Sequence, residues 1–230
     1  MNFAEELFEN FSEVEIQSFI DWDKISAHQY LTEDFIRKFQ DQLLWDVISH
    51  FQQLSEDFIE EFQHRICWER VCWKQTLSED FIVKFQSQVN WDRVSACQKL
   101  SEAFILEFQD KVSWKHICVY QILSENFLRK HQDKINFRLI SKGQVLSESF
   151  IQEFKNKVHW SYISKYQKLS EHFIRKFRKQ VDPYYILRNQ EISQKLREEI
   201  LKGEILPPNI IKNQTGFPVK RSQLIDLEDD

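Results

Sequence analysis

Large apolar residues recur along this chain with a fixed internal spacing. Laid in register on Leu31, Leu54, Leu77, Leu100, Leu123, Leu146 and Leu169, each segment places a Phe four residues on: Phe35, Phe58, Phe81, Phe104, Phe127, Phe150 and Phe173. Ile or Leu follows directly, and the eighth residue on is Phe39, Phe62, Phe85, Phe108, His131, Phe154 and Phe177. Offsets of four, five and eight trace one stripe of an α-helix. The Ser or Thr after each Leu is an N-cap. The acids at Glu56 and Asp57 complement the positive helix start, and Leu54 is placed to staple onto Ile59. The pattern predicts a helix A from about the Ser to the Gln of LSEDFIEEFQ, which begins at Leu54.

A second stripe follows each of these. VNWDRVSACQ at 89–98 has parallels in IDWDKISAHQ at 20–29 and VHWSYISKYQ at 158–167, with Trp91, Val94, Ser95 and Gln98 on one helical face. Asp21, Asn90, Ser113, Asn136 and Asp182 stand at N-cap positions, and Pro183 takes the first helical position, where its missing N–H costs nothing. This predicts a helix B, each of the two helices being roughly eight to ten residues long. The leading Leu returns every 23 residues. A unit that short cannot bury a core alone, so its neighbours must supply one. The chain is therefore expected to be all-α, an α-solenoid of about seven 23-residue αα-hairpin repeats with degenerate end caps. The expected layout is an N-terminal helical cap at 1–19, tandem repeats at 20–191, a C-terminal cap helix at 192–202 and an extended or disordered tail at 203–230.

Composition agrees with continuous short helices: three Gly and four Pro stand against 20 Phe and seven Trp. No run of about 18 apolar residues occurs, and MNFAEELFENF begins with acids rather than the basic start of a signal peptide. The expectation is a soluble intracellular chain with no membrane partner. Cys67, Cys72, Cys97 and Cys118 fall in slots filled elsewhere by Ser, Asn, Tyr or Lys, which suggests free thiols. Charge is unevenly spread. Residues 1–62 hold 3 Lys/Arg against 15 Asp/Glu, and residues 123–202 hold 17 against 9.

Little here resembles an active site. The seven His fall in seven different repeat slots, no Cys or His set has zinc-site spacing, and there is neither a Gly-rich phosphate loop nor a nucleophile elbow. Neither a catalytic residue, a metal nor a cofactor is expected. The Gln repeated at 29, 52, 75, 98, 121, 144, 167 and 190 is read as scaffold, because a residue equal in every copy cannot discriminate along a ligand. The Trp column from Trp22 to Trp160 is read as core rather than as a platform for bases. Recognition is sought instead in the variable slots of helix B. There Phe51, Trp73, Tyr120, Tyr162, Lys165, Tyr166, Tyr185 and Arg188 have the chemistry of interface hot spots. The plain alternative is scattered surface aromatics with no partner.

LSEDFIEEFQ…W and VHWSYISKYQKLSEHFI resemble the short tandem LSExFI…W-x-x-I-S-x-x-Q repeat proteins of giant DNA viruses of protists, over about residues 20–190. The resemblance implies an intracellular viral repeat protein, in host cytoplasm or virion. The departures are His131 for Phe, Phe137 and Pro183 for Trp, and Lys155 and Arg178 for Gln. His131, Phe137 and a Gly143 expected inside helix B make residues 123–145 the unit expected to open most easily. The function expected is a non-enzymatic scaffold for protein–protein interaction, as a host-interaction adaptor or a virion or assembly component. Head-to-tail self-association, acidic end to basic end, is a further use of the charge asymmetry. The alternative is a nucleic-acid-associated protein using the basic C-terminal repeats.

Overall fold

In the computed structural model, residues 21–28 and 30–202 are described, and all of their regular structure is helical. The helices are α1 (Trp22–His28), α2 (Glu33–Lys38), α3 (Trp45–Phe51), α4 (Glu56–Glu61), α5 (Trp68–Lys74), α6 (Glu79–Lys84), α7 (Trp91–Cys97), α8 (Glu102–Glu107) and α9 (Trp114–Tyr120). They continue with α10 (Glu125–Lys130), α11 (Phe137–Gly143), α12 (Glu148–Glu153), α13 (Trp160–Tyr166), α14 (Glu171–Lys176), α15 (Pro183–Asn189) and α16 (Gln194–Leu201). Even-numbered helices are A and odd-numbered ones B, so seven A–B hairpins are complete among the described residues. The chain is an α-solenoid of helical hairpin repeats, as its periodicity predicts. The expected cap at 1–19 and tail at 203–230 lie outside the described residues, and α16 stands where the C-terminal cap helix was expected.

The chain divides into two compact units, the first ending at Gln121 and the second beginning at Ile122. Within the first, α1 packs on α3, α3 on α5, α5 on α7 and α7 on α9. Within the second, α11 packs on α13 and α13 on α15. Within each unit, successive B helices thus lie against one another.

Helix A is shorter than its sequence stripe predicts. Its α-helical part is six residues long, and the ninth slot of the repeat is the C-cap: Phe62 has φ −105° and ψ 27°. Leaving the helix there turns the chain while the Phe62 ring stays buried. The N–H groups of Arg65 and Ile66 then close on the Phe62 carbonyl, at 2.9 and 3.1 Å, so the turn after the helix remains hydrogen-bonded. At the other end the N-cap expectation is met: Ser55 Oγ accepts the Phe58 N–H at 3.2 Å. Helix B has seven residues, and Asn90, Asn136 and Asp182 cap it through their side chains. Ser113 stands at the N-cap of α9 but makes no side-chain cap bond.

The core is the set of residues that the stripes mark. Phe58, Ile59, Ile82, Ile105, Phe150 and Ile151 are all fully buried. The Trp residues, expected to be buried, are half-buried instead. Trp22, Trp45, Trp68, Trp91 and Trp160 lean on Phe residues of the next repeat, as Trp68 does on Phe85 at 5.1 Å and Trp160 on Phe177 at 5.2 Å. The indole edge must also reach the turn behind it, which holds the ring near the surface. Trp45, Trp68, Trp91 and Trp114 donate their Nε1–H to the backbone carbonyl five residues earlier, at 2.9 to 3.1 Å, and Trp160 does the same to Lys155.

Backbone groups at the B-to-A turn are satisfied by the repeated Gln. Gln98 is buried, its Oε1 accepts the Leu77 N–H at 2.9 Å, and its Nε2 donates to the carbonyls of Cys72 and Gln75, both at 2.8 Å. Gln75, Gln121, Gln167 and Gln190 repeat all three bonds. The buried Ser of helix B makes a second bridge. Ser95 Oγ accepts the Ser113 N–H of the next repeat at 2.9 Å and donates to the Trp91 carbonyl at 2.6 Å. In this slot Cys72 uses its thiol to take the Asn90 N–H, and burial pushes that thiol up to about 11. A third bridge runs on the outer side. Glu79 accepts from both the N–H and the hydroxyl of Ser101, the N-cap of the next helix A, and Glu148 does the same for Ser170. Glu171 accepts the Ser193 N–H, and its carboxylate is held below its ordinary range by Ser193. The first-turn Glu, expected to act on its own helix dipole, bonds across the repeat boundary as well.

The irregular repeat at 123–145 keeps this frame. Gln144 accepts the Leu123 N–H at 3.1 Å, and His131 stacks on Phe127 at 4.7 Å in place of the missing Phe. Gly143, expected inside the helix, is the last residue of α11, where the backbone cost of Gly is smaller. What Phe137 lacks is the indole N–H, although it packs on Phe154 at 5.2 Å as the Trp residues do.

Two stability predictions follow from these bonds. Gln98→Glu keeps the size and the acceptor but turns carboxylate lone pairs toward the Cys72 and Gln75 carbonyls. At pH 7 it should therefore destabilise by about 3 kcal/mol or more, read as a lowered urea midpoint. A shift no larger than that of a surface substitution such as Lys99→Ala would refute the role assigned to the amide. Phe137→Trp restores a donor to the Gln132 carbonyl and should raise stability by about 1 kcal/mol. Slower hydrogen exchange at residues 132–137 is the matching local observation.

Candidate interaction surface

The third, sixth and seventh residues of each helix B share one face, because they are spaced i, i+3 and i+4. The second residue flanks that face. Since the core and the bridges occupy the first, fourth and fifth positions, sequence can vary here without disturbing the frame.

In the first unit the second position is acidic in α1, α3, α5 and α7 and Lys115 in α9, and the third runs Lys24, Val47, Arg70, Arg93, His116. Asp46 Oδ1 lies 3.6 Å from Arg70 Nε, Glu69 Oε1 lies 2.9 Å from Arg93 Nη2, and Asp92 Oδ1 lies 3.5 Å from His116 Nδ1. Each pair joins adjacent repeats. Between them sits an aromatic strip: His50 meets Phe51 at 4.4 Å and the edge of Trp73 at 5.2 Å. Lys74 Nζ lies 4.0 Å and the Arg93 guanidinium 5.2 Å from the Trp73 ring. His50 is held below its ordinary pKa, first by burial and then by the Lys74 and Arg70 charges. Phe51 and Tyr120 are exposed, at 56% and 61%, while Trp73, at 39%, has its ring already engaged by cations. Tyr120 meets only His116 of its own helix among the recorded ring contacts, 6.1 Å away.

The second unit changes the pattern. Its second positions are Arg138, Ser161 and Tyr184, so the flanking carboxylates are gone. Arg138 Nη2 donates to the Tyr162 hydroxyl at 3.1 Å, a bond that holds the Tyr162 phenol below its ordinary pKa. Tyr162 meets Tyr166 edge-on at 5.8 Å. Lys165 Nζ lies 4.8 Å from the Tyr166 ring and 5.6 Å from the Tyr185 ring, and its pKa is raised, chiefly by Tyr166. Arg188 Nη1 donates to the Tyr184 hydroxyl at 3.1 Å. In this unit Arg129 pairs with Glu125 and Glu153, and Arg175 pairs with Glu199. Among the described residues Arg138, Lys142, Lys165, Lys168 and Arg188 pair with no carboxylate.

The structure therefore joins Tyr162, Lys165, Tyr166 and Tyr185, four of the residues marked by sequence, on neighbouring helices α13 and α15. Tyr166 and Arg188 are exposed, and Tyr162, Lys165 and Tyr185 are half-buried. Phe51 and Trp73 form a separate strip in the first unit. Sequence reasoning missed Arg138 and Tyr184. The signal was present in the second position of helix B, which runs Asp23, Asp46, Glu69, Asp92 and then Lys115, Arg138, Ser161, Tyr184. Beside the tyrosines, a groove of about 400 Å³ opens at the turns that follow α13 and α15. It is lined by Lys165, Tyr166, Gln167, Lys168, Leu169, Ser170, Asn189, Gln190 and Glu191.

Among the described residues no group of three or more His, Cys, Asp and Glu side chains gathers as a metal ion requires. Among them, too, no helix is long and apolar enough to cross a membrane. The four cysteines are free thiols, with Cys72 and Cys118 buried and Cys97 exposed. Compared with known protein families, with curated proteins and with solved structures, the chain matches none.

Proposed function

We propose that the chain is a non-enzymatic repeat scaffold that binds an acidic protein partner through the helix-B face of α11, α13 and α15. The observation that carries this is the loss of the flanking carboxylates there. Arg138, Lys165 and Arg188 stand beside tyrosine rings, and among the described residues none of them pairs with a carboxylate, whereas Arg70 and Arg93 in the first unit each do. Planar Tyr rings provide contact area at small entropic cost, and unpaired cations steer an acidic surface toward them. The resemblance to viral repeat proteins supports a setting as a host-interaction adaptor or a virion or assembly component, and the intracellular location goes with it.

A Lys165→Glu/Tyr166→Ala double variant tests the face directly. Both side chains are outside the core, so its circular dichroism and urea midpoint should match the parent. Partners captured by the full chain, identified by mass spectrometry after nuclease digestion, should be lost from the variant. Capture that disappears on nuclease digestion would instead favour the nucleic-acid reading. So would DNA binding that falls steeply with salt, at a log–log slope near −0.9 for each phosphate neutralised on a duplex.

A further inference from the structure

The groove beside Tyr166 has a candidate occupant within the chain itself. Its lining includes two lysines, Lys165 and Lys168, with Ser170, Asn189 and Tyr166, and one acid, Glu191. Residues 222–230 read SQLIDLEDD, with four acids and no base. We infer that this acidic segment docks in the Lys165/Lys168 groove of the same chain.

Three observations converge on this. The first is charge: the segment carries four acids, and among the described residues neither lysine of the groove pairs with a carboxylate, although Glu191 lines it and Glu148 bonds Ser170. The second is spacing. In an extended strand, Asp226 and Glu228 point to one side and Leu227 to the other, so the two carboxylates can meet the two ammonium groups while apolar Ile225 and Leu227 flank the Tyr166 ring, itself 42% exposed. The third is reach. Glu191 lines the groove, and α16 begins at Gln194. A helix of eight residues is about 12 Å long. The chain therefore leaves the described region within roughly 20 Å of the groove. The intervening residues, 203–221, are long enough for that span, since a chain of that length covers at most about 60 Å. Tethering at that distance raises the effective concentration of the segment to the order of millimolar, enough for a weak contact to be occupied.

The docking stands independently of any protein partner, although the two uses share Lys165 and Tyr166, so an acidic partner would have to displace the segment. Zero-length carbodiimide coupling of the full-length protein tests it, because it joins a Lys amine only to a carboxylate in direct contact. The sites are read by mass spectrometry, and an equal mixture of ¹⁵N-labelled and unlabelled protein tells links within a chain from links between chains. The expected result is that Lys165 and Lys168 dominate the links to Asp226, Glu228, Asp229 and Asp230, within one chain. These links should be lost in 1 M salt, where the screening length is about 3 Å. Lys195 and Lys202 are closer to the segment in sequence. Links to those two that equal or exceed the links to Lys165 and Lys168 would overturn the inference. So would links found only between chains, which would make a second copy the occupant. Persistence of the Lys165 and Lys168 links in 1 M salt would equally overturn the ionic contact proposed.

Discussion

Every turn from helix B back to helix A leaves backbone groups that neither helix can satisfy, and the amide of one glutamine per repeat satisfies them. Gln98 is representative: it accepts from the Leu77 N–H and donates to the carbonyls of Cys72 and Gln75. A buried N–H or C=O left without a partner costs about 1–3 kcal/mol, so three such groups at one junction outweigh any single surface interaction in the repeat. Only a side chain with one acceptor and two donors can do this from one position. Glutamate has no donor, lysine has no acceptor, and asparagine is a methylene shorter. The 23-residue period follows. An insertion between Leu77 and Gln98 would move the amide off its three targets, so the repeat can vary in composition far more readily than in length.

Two further bridges act in parallel with the amide, the Ser or Cys of helix B and the first-turn Glu of helix A. Within each unit they fix both ends of a hairpin to the next. Apolar burial then supplies the bulk of the stabilisation, through a Phe pair and an Ile that are buried in every copy but that at 123–145, where Phe127 and Leu128 are buried. The ion pairs that also join successive repeats, such as Lys84 with Glu60 and Arg129 with Glu153, lie at the surface, where such pairs contribute about 0–1 kcal/mol. Because so little stability rests on them, surface charge is free to change along the array. That freedom is what separates the acid-flanked strip around Trp73 from the face around Tyr166, where the second helix-B positions carry no acid.

Legibility from sequence was high where a residue must be the same in every copy and low where geometry decides its surroundings. The Phe and Ile stripes, the Ser caps and the scaffold role of Gln were all readable, since each follows from periodicity plus a hydrogen-bonding capacity. The end of helix A at Phe62 was not, because an apolar stripe runs on through a C-cap residue whose ring still points inward. The Trp exposure was hidden for a related reason: a large aromatic at a core spacing looks buried, whereas the Nε1 bond to the turn behind it draws the ring outward. The inter-repeat bond of Glu79 was invisible in another way. An acid in a first turn already has a sufficient local explanation, and only coordinates reveal that its carboxylate reaches Ser101. Of the candidate surface, the tyrosines were legible as variable aromatic slots. The absence of carboxylates that distinguishes them needed one slot to be followed down the whole array.

The repeat at 123–145 ranks these constraints. It has lost a Phe at His131 and an indole at Phe137, and it has gained Gly143, so aromatic packing and intrinsic helix preference have both been relaxed within one unit. The Leu123–Gln144 bond remains at 3.1 Å, the Asn136 cap remains, and Ser141 Oγ still donates to the Phe137 carbonyl at 2.6 Å while accepting the His159 N–H at 3.0 Å. A smaller ring loses contact area in proportion to the atoms removed and the neighbours partly close the gap, whereas a missing amide leaves its three backbone groups with nothing to bond. The graded loss is tolerated and the all-or-none loss is not. For the same reason Pro183 can stand in a Trp slot in α15, provided that Gln190 still bonds Leu169, Ser164 and Gln167.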